Sequence, residues 1–317
     1  VTLTQLRALV AAAELGSFTA AGNALGYTQA AVSELVRRLE EECGLQLFHR
    51  GGRKLTLTPA GAQLLPHAQQ TVSAAQNAED TVRAVRGLTG GVASFGLFRN
   101  ADFYLLAELA ERFATAHPDV RVRLVGVNAA RVAEAVAAGD LEAGIVVLPV
   151  TPSGLEVTPL ARDEVLYVSA DPAHVATPVD ITTMAARRLV LYDAHVGWAD
   201  PDRLQLAERA QIAGVRLEPF LEVEQAQAAL HLVARGLGDT FLSRAVAERL
   251  LRTEGLRLHT TPFDPPLHNT FALVRRRHSR LSPATAELAR LAVDLLMRNE
   301  MLEHRRPLPA REEPPVP

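Results

Sequence analysis

The chain has 317 residues, 48% hydrophobic and 22% charged, and its 33 basic and 36 acidic side chains leave a formal charge of −3. That length implies two or more domains with real cores, and the composition excludes a disordered chain, a disulfide-stapled miniprotein and a bulk polycation. One cysteine, Cys43, excludes an internal disulfide, a two-cysteine redox switch and a cysteine-based zinc cage.

Residues 1–58 read as a compact unit of short elements. Leu3, Leu6, Leu9 and Val10 share one helical face. Within that helix Ala8–Ala13 imitates a signal-peptide core, but Arg7 and Glu14 bracket it, and the helical spacing favours a soluble, cytoplasmic chain. Ser17 is placed to cap a second helix, Phe18–Leu25, and Thr28 a third that runs to about Cys43. On the third, Val32, Leu35, Val36 and Leu39 form a core set at about 240° to 340° of the helical wheel, counted from Gln29. Gln29, Ala30, Ser33, Glu34, Arg37 and Arg38 sweep about 0° to 180° on the exposed face. Two helices joined by a tight turn, the second exposing Gln, Ser and Arg, suit a major groove, where Gln can pair with adenine and Arg with guanine or phosphate. After Gly44, Leu45–Phe48 and Lys54–Thr58 frame a β-hairpin with Arg50, Arg53 and Lys54 at its tip, a wing suited to phosphate contact.

Residues 59–91 read as a linker: one long Ala/Gln-rich helix to residue 88, then Gly90–Gly91 as a hinge. Leu64, Leu65, Ala68, Val72, Ala75, Ala78, Val82 and Val85 form a stripe that packs either on the helix's own domain or on a partner helix. The length, and Gln69, Gln70, Gln76 and Asn77 on the other faces, favour a partner. Pro66 lies near the helix start, where a kink is expected. Residues 92–299 alternate β-like runs with helical stretches, the pattern of a mixed α/β domain. The runs include Val120–Val127, Ala143–Leu148, Val165–Ser169, Leu189–Tyr192 and Phe271–Val274. No apolar run reaches the ~18 residues of a bilayer span; Ala143–Val150 is among the longest, and Pro149 interrupts it. Residues 300–317, with five prolines, read as a disordered tail.

Charge follows these boundaries. Residues 1–61 hold six basic and five acidic side chains, residues 92–299 hold 22 and 25, and Leu45–Ala78 contains no acid. A local basic feature therefore sits inside an acidic average.

Ser17-Phe18-Thr19, Ala21, Leu25, Thr28-Gln29, Ala31-Val32-Ser33, Val36 and Leu39-Glu40 resemble the LysR-type transcriptional regulators, as do Leu47-Phe48, Arg50, Leu57-Thr58 and Gly61. The match is continuous over about sixty residues and highly specific. More weakly, through the long helix and Gly236-Leu237-Gly238, it extends to all but the tail. The resemblance implies an α/β fold: an N-terminal winged helix-turn-helix, a long linker helix and a C-terminal two-lobed Rossmann-like effector domain resembling periplasmic binding proteins. Lobe I would take residues 92–161 and 267–299, and lobe II residues 162–266. Implied partners are promoter double-stranded DNA, a small-molecule effector and further copies of the chain as a dimer, usually a tetramer. RNA polymerase is a further candidate, and no membrane is implied. Thr28, Gln29, Ala30, Ser33 and Arg37 would line the groove, and Arg50 would hold phosphate with Arg53 and Lys54 beside it.

Several positions depart from the family pattern. Gly22 stands where a second Ala is usual, a cost in helix propensity, and Ala30 where Pro or Ser is common. Glu34 repels phosphate, and suits either a cytosine contact or a pair with Arg38. In the effector region the ligand would lie between the lobes, against strand ends and helix N-termini. The chain would cross to lobe II near Leu160–Asp163 and return near Phe263–Asn269. The turn Phe98–Asp102, with Arg99 and Asn100, and then Asn128 would line lobe I. Tyr192–His195 and Glu224–Gln227 would line lobe II, with Tyr192, His195, Gln225 and Gln227 as candidates. Arg99, where Ser or Thr is frequent, has two readings: a carboxylate clamp for an organic acid, or a residue facing solvent or paired with Asp102. Glu142 replaces a usual Asp and Ser243 a usual Pro. Trp198, the only tryptophan, lies beside a possible cleft strand and reads as a core or interface residue.

Enzyme readings find little. The ten histidines show no H-x-H, H-E-x-x-H or i, i+4 pair, and neither G-x-S-x-G nor a P-loop occurs. Cys43 has no evident base, and Glu40–Glu42 read as a solvated charge run. No catalytic residue, metal or cofactor is therefore expected. A solute-binding protein with an incidental helical N-terminus is the main rival, and the basic wing argues against it.

Overall fold

A computed structural model describes residues 1–49, 55–85, 92–126, 128–150, 154–277 and 279–304. The N-terminal unit is built from α1 (Leu3–Leu15), α2 (Phe18–Leu25) and α3 (Gln29–Cys43). Each helix starts on the hydroxyl its sequence supplies. Thr2 Oγ1 accepts from Gln5 N while Gln5 Oε1 accepts from Thr2 N, closing a capping box. Ser17 and Thr28 accept from Ala20 N and Ala31 N. Leu9, Ala21, Val32, Val36, Leu39, Leu47 and Phe48 are buried together beneath them.

The buried arc of α3 is rotated from the expected one. Leu35 is only half-buried, whereas Glu40 is 9% exposed. Glu40 Oε1 accepts the backbone N–H groups of Leu47 (2.7 Å) and Phe48 (3.2 Å), so it is an internal anchor for the wing rather than a solvated charge. The base of the wing is paired, with His49 N to Thr56 O and Thr58 N to Leu47 O both at 2.9 Å. Its tip, including Arg50, Arg53 and Lys54, lies outside the described residues.

Two glycines mark close backbone approaches. A Cβ on Gly61 would fall 2.2 Å from Leu47 O, and one on Gly22 would fall 2.7 Å from Tyr27 O. The departure at Gly22 is thus more than a propensity cost, because here α2 presses on the turn that launches α3.

The long helix α4 (Pro59–Val85) contains Pro66 and packs its first half back on α1. Leu64, Ala68 and Val72 join the N-terminal core, and Gln69 Nε2 donates to Glu14 Oε1. Val82, further along the same stripe, is 52% exposed.

The effector domain follows in the order β1 (Val92–Leu97), α5 (Leu106–Ala116), β2 (Arg121–Gly126), α6 (Ala129–Ala138) and β3 (Ala143–Leu148). Then come β4 (Leu155–Ser169), α7 (Ile181–Ala185), β5 (Leu189–Leu191), α8 (Pro201–Ile212), β6 (Pro219–Glu222) and α9 (Ala226–Ala234). The chain ends with β7 (Thr240–Ser243), α10 (Arg244–Glu254), β8 (His259–Arg276), α11 (Pro283–Met297) and β9 (Glu303–His304). The main sheet has the order β2-β1-β3-β8-β4-β7, and β5 pairs with β6 alongside. Parallel β1–β2 and β1–β3 pairing gives the Rossmann-like lobe I, sealed by Phe95, Phe113 and Leu288. Lobe II has its own core around Tyr167, Phe241 and Phe263.

Strands β4 and β8 join the lobes. They pair antiparallel almost end to end, with Asp163 opposite Asn269 at the crossing. The expected strands Val165–Ser169 and Phe271–Val274 are the apolar ends of these longer strands; the polar middle hid the rest. Beyond α11, β9 pairs with Ala161–Arg162, so the segment read as a disordered tail begins with a strand. Residues 305–317 lie outside the described residues. Among the described residues no helix is long and apolar enough to cross a membrane.

Candidate functional site

Two surfaces bring the candidate residues together. On α3, Thr28, Gln29, Ala30 and Arg37 are exposed on one side and Ser33 is half-buried between them. Thr28 is also the cap of the helix, so its hydroxyl fixes where α3 begins and Gln29 stands in its first turn. Arg37 does not stand free. Its guanidinium is bidentate to Glu34, at 2.7 Å to each oxygen, and also contacts Glu41. Glu34 binds Arg38 as well (2.8 Å), and hydrogen bonds from Arg37 and then Arg38 lower its carboxyl to about 2. Of the two sequence readings of Glu34, the pair with Arg38 is present, extended to Arg37. A phosphate or base approaching Arg37 must compete with carboxylates already seated on it.

The second surface is the cleft between the lobes. It has an inner chamber of about 40 Å³, enough for a water or two. Outside it lies a crevice of about 670 Å³, and Phe98, Arg99, Asn100 and Asn128 line both. Arg99 comes from the turn after β1. It pairs neither with Asp102 nor with solvent alone: Nε lies 2.5 Å from Asp193 Oδ1, and Nη1 donates to Glu224 Oε1 at 2.7 Å. Arg99 therefore ties lobe I to lobe II. Asn100 holds a left-handed backbone in the same turn (φ 65°). Asn128 caps α6 through Oδ1, and its buried Nδ2 has no hydrogen-bond partner.

From lobe II, Tyr192 is buried and its hydroxyl donates to Asp202 at 3.2 Å. His195 is exposed; its backbone N–H and Nδ1 both meet Glu224 at 3.1 Å. Gln225 and Gln227 line the outer crevice, and Gln227 Nε2 donates to Glu254 Oε1. Trp198 lies on a turn at 37% exposure, with the Arg203 guanidinium 5.7 Å from its ring centre.

The chamber is strongly acidic. Asp193, Asp200 and Asp202 line it together, and each is buried. Asp200 caps α8, accepting from Asp202 N (3.0 Å) and Arg203 N (3.4 Å). Burial, and next the charge of Asp200, pushes Asp193 up to about 7 and Asp202 well above the usual carboxylate range. For Glu224, burial acts upward, but hydrogen bonds from His195 and Arg99 outweigh it and hold the carboxyl low. Asp193 and Glu224 fell within lining segments read from sequence without being singled out; Asp200 and Asp202 were missed. The signal was Asp200-Pro201-Asp202, a cap followed by a helix-starting proline.

The floor is aromatic: Phe98, Tyr104 and Phe271 have ring centres 4.6 to 5.3 Å apart. At the strand crossing, Tyr104 OH donates to Asp163 Oδ2 (2.6 Å), and Asn269 Nδ2 donates to Ser243 Oγ (2.9 Å). The serine at 243 thus supplies an acceptor that proline lacks. Glu142, the other departure, accepts from Ser282 N, Ser282 Oγ and Thr285 Oγ1 at 2.6 to 2.9 Å, joining β3 to α11.

Comparison with known proteins finds matches to both domains that carry these surfaces. Residues 3–62 match the family described as "Bacterial regulatory helix-turn-helix protein, lysR family", and residues 86–296 match "LysR substrate binding domain". The "HTH-type transcriptional regulator IlvR" of Caulobacter vibrioides is 31% identical over 295 residues, 92% of this chain and 97% of that protein. A "Probable hydrogen peroxide-inducible genes activator" of Mycobacterium avium is 30% identical, covering 93% and 94%. Full-length OxyR from Pseudomonas aeruginosa superposes with a TM-score of 0.72 at 22% identity, covering 99% of both chains. CbnR in complex with its target DNA gives 0.59 at 20% identity, covering 93% of this chain and all of that one. The chain belongs to the LysR family of DNA-binding transcriptional regulators, which join a helix-turn-helix to an effector-binding domain.

Proposed function

We propose that this regulator reads its operator with Thr28, Gln29, Ala30, Ser33 and Arg37 of α3, while Arg50, Arg53 and Lys54 grip phosphates on either side of the groove. An effector enters between the lobes, among Arg99, Asn100, Asn128, Tyr192, His195, Gln225 and Gln227. It alters promoter binding by favouring one arrangement of the lobes. The carrying observation is Arg99: one lobe I guanidinium bonded to Asp193 and Glu224 of lobe II is a contact that a ligand can replace or reinforce.

The protein acts as a dimer or tetramer. The exposed end of the α4 stripe at Val82 supports this, because the first half of the stripe is already covered by α1. RNA polymerase is the further partner expected of a promoter-bound regulator, and chromosomal DNA places the work in the cytoplasm. Gel-shift titrations over a salt series test the DNA face. Arg50→Ala should weaken specific and random sites alike and reduce the salt slope by about 1, whereas Gln29→Ala should relax preference at one half-site position. An unchanged slope, or a uniform loss for Gln29→Ala, would reject the assignment.

A further inference from the structure

The inner chamber has more negative charge than its surroundings neutralise. Arg99 serves Asp193 and Glu224. Arg203, the other guanidinium nearby, is 1% exposed and donates to Glu222 at 2.6 Å. Asp200 accepts hydrogen bonds from helix N–H groups, with Arg203 and Arg99 attracting it from farther away, and Asp202 accepts from the neutral donors of Tyr192 and Asn269. Among the described residues neither carboxylate has a guanidinium at ion-pair distance.

Unmatched atoms lie in the same chamber. Asn269 is 3% exposed, lines the cavity and has Oδ1 without a hydrogen-bond partner. Asp193 Oδ1 touches Arg99 but has no aligned hydrogen bond. Asn128 Nδ2 and Arg99 Nε on the lining, and Nε and Nη2 of nearby Arg203, are buried donors without an aligned hydrogen bond. Among the described residues no three acidic, histidine or cysteine side chains converge closely enough to hold a metal ion. The carboxylates therefore form a wall rather than a coordination shell.

Building on the cleft as the effector site, we propose that the inner chamber takes the cationic end of the effector: a primary ammonium set against Asp193, Asp202 and Asn269 Oδ1. Its three N–H groups match three acceptors, and its size suits the small chamber. The ligand body fills the outer crevice, and an oxygen acceptor beside the ammonium meets Asn128 Nδ2. The ligand class is a small amine carrying an acceptor, not a simple organic acid. The elevated carboxyls of Asp193 and Asp202, raised first by burial and next by the charge of Asp200, agree with a chamber that a bound cation would relieve.

Two matched sets of compounds test this by thermal shift on the full chain. One is phenylalanine, 2-phenylethylamine and 3-phenylpropanoate; the other is leucine, isopentylamine and 4-methylpentanoate. Compounds bearing an ammonium should raise Tm by about 3 °C at ten times Kd, and the bare carboxylates should not. Asp202→Asn should abolish the rise. A measurement on the unaltered chain guards against a folding defect: amine affinity should increase from pH 6 to pH 8 as Asp193 loses its proton. Arg99, Asp200 and Asp202 line the same chamber, Glu224 and Arg203 act on Asp193 from beside it, and His195 bonds Glu224; together they set the background for that titration. Stabilisation by the carboxylates alone, lost in Arg99→Gln, would overturn the ligand class but keep the cleft as the site. An amine effect untouched by both substitutions would overturn the cleft reading too. Silence from every amine at 10 mM, or stabilisation by Mg²⁺ or Ca²⁺ alone, would overturn the proposal.

Discussion

Asp193→Asn isolates one charge of the acidic chamber with little change of shape. Asp193 holds a left-handed backbone (φ 61°), which Asn also tolerates. Its carboxyl is lifted from 3.8 to about 7 in the folded chain, chiefly by burial. The native state thus binds this proton more tightly than the unfolded state, so the group opposes folding increasingly as pH rises from about 4 to 7. With those values the ionisation costs about 2 kcal/mol at pH 5 and about 4 kcal/mol at pH 8. The attraction of Arg99 is already contained in the shift. The asparagine variant lacks this penalty, so its stability relative to the parent should improve by about 2–3 kcal/mol between the two pH values. Urea unfolding followed by fluorescence of Trp198, which lies in lobe II, reads the difference. A stability gap that stays constant, or moves against the variant at pH 8, would refute the assignment of a buried, repelled carboxyl.

Other substitutions probe the DNA-binding unit. Gly22→Ala should lower stability by about 2 kcal/mol despite better helix propensity, because its Cβ meets backbone at Tyr27 and Thr28; a stabilised variant by calorimetry would show that the turn yields. Glu40→Ala strands the N–H groups of Leu47 and Phe48, at about 1–3 kcal/mol each, and should also weaken DNA binding by loosening the wing; unaltered melting would contradict the anchor. Glu34→Gln removes the carboxylate that occupies Arg37 and Arg38, so DNA affinity should rise and the salt dependence steepen by about one charge. A loss of affinity would instead make Glu34 a base contact.

The N-terminal unit was legible because its signals are local. Caps at Ser17 and Thr28 and the apolar period of α3 lie within one or two helical turns, where chain stiffness fixes the outcome. Glu40 was misread because three adjacent glutamates look alike in sequence. Its helical phase, four residues after Val36, marks it as inward-facing. The cleft was legible as segments but not as chemistry. Arg99 meets Asp193 and Glu224 from far along the chain, and only the folded crossing of β4 and β8 brings them together. The crossing strands themselves escaped because Pro159, Arg162 and Asp163 break any apolar pattern at the point where the chain leaves one core for the other.

That crossing has a mechanical meaning. Asn269 belongs to β8 and also to the wall of the inner chamber. A molecule lodged there would touch the strand pair that joins the lobes, not their rims. A lever pushed at its pivot needs only a small displacement to swing its far ends, and packed interfaces convert such shifts into discrete rotations. On the proposed reading, a compact headgroup beside this ribbon would act on both lobes at once, with lobe surfaces as the moving arms and the paired strands as the torsion spring.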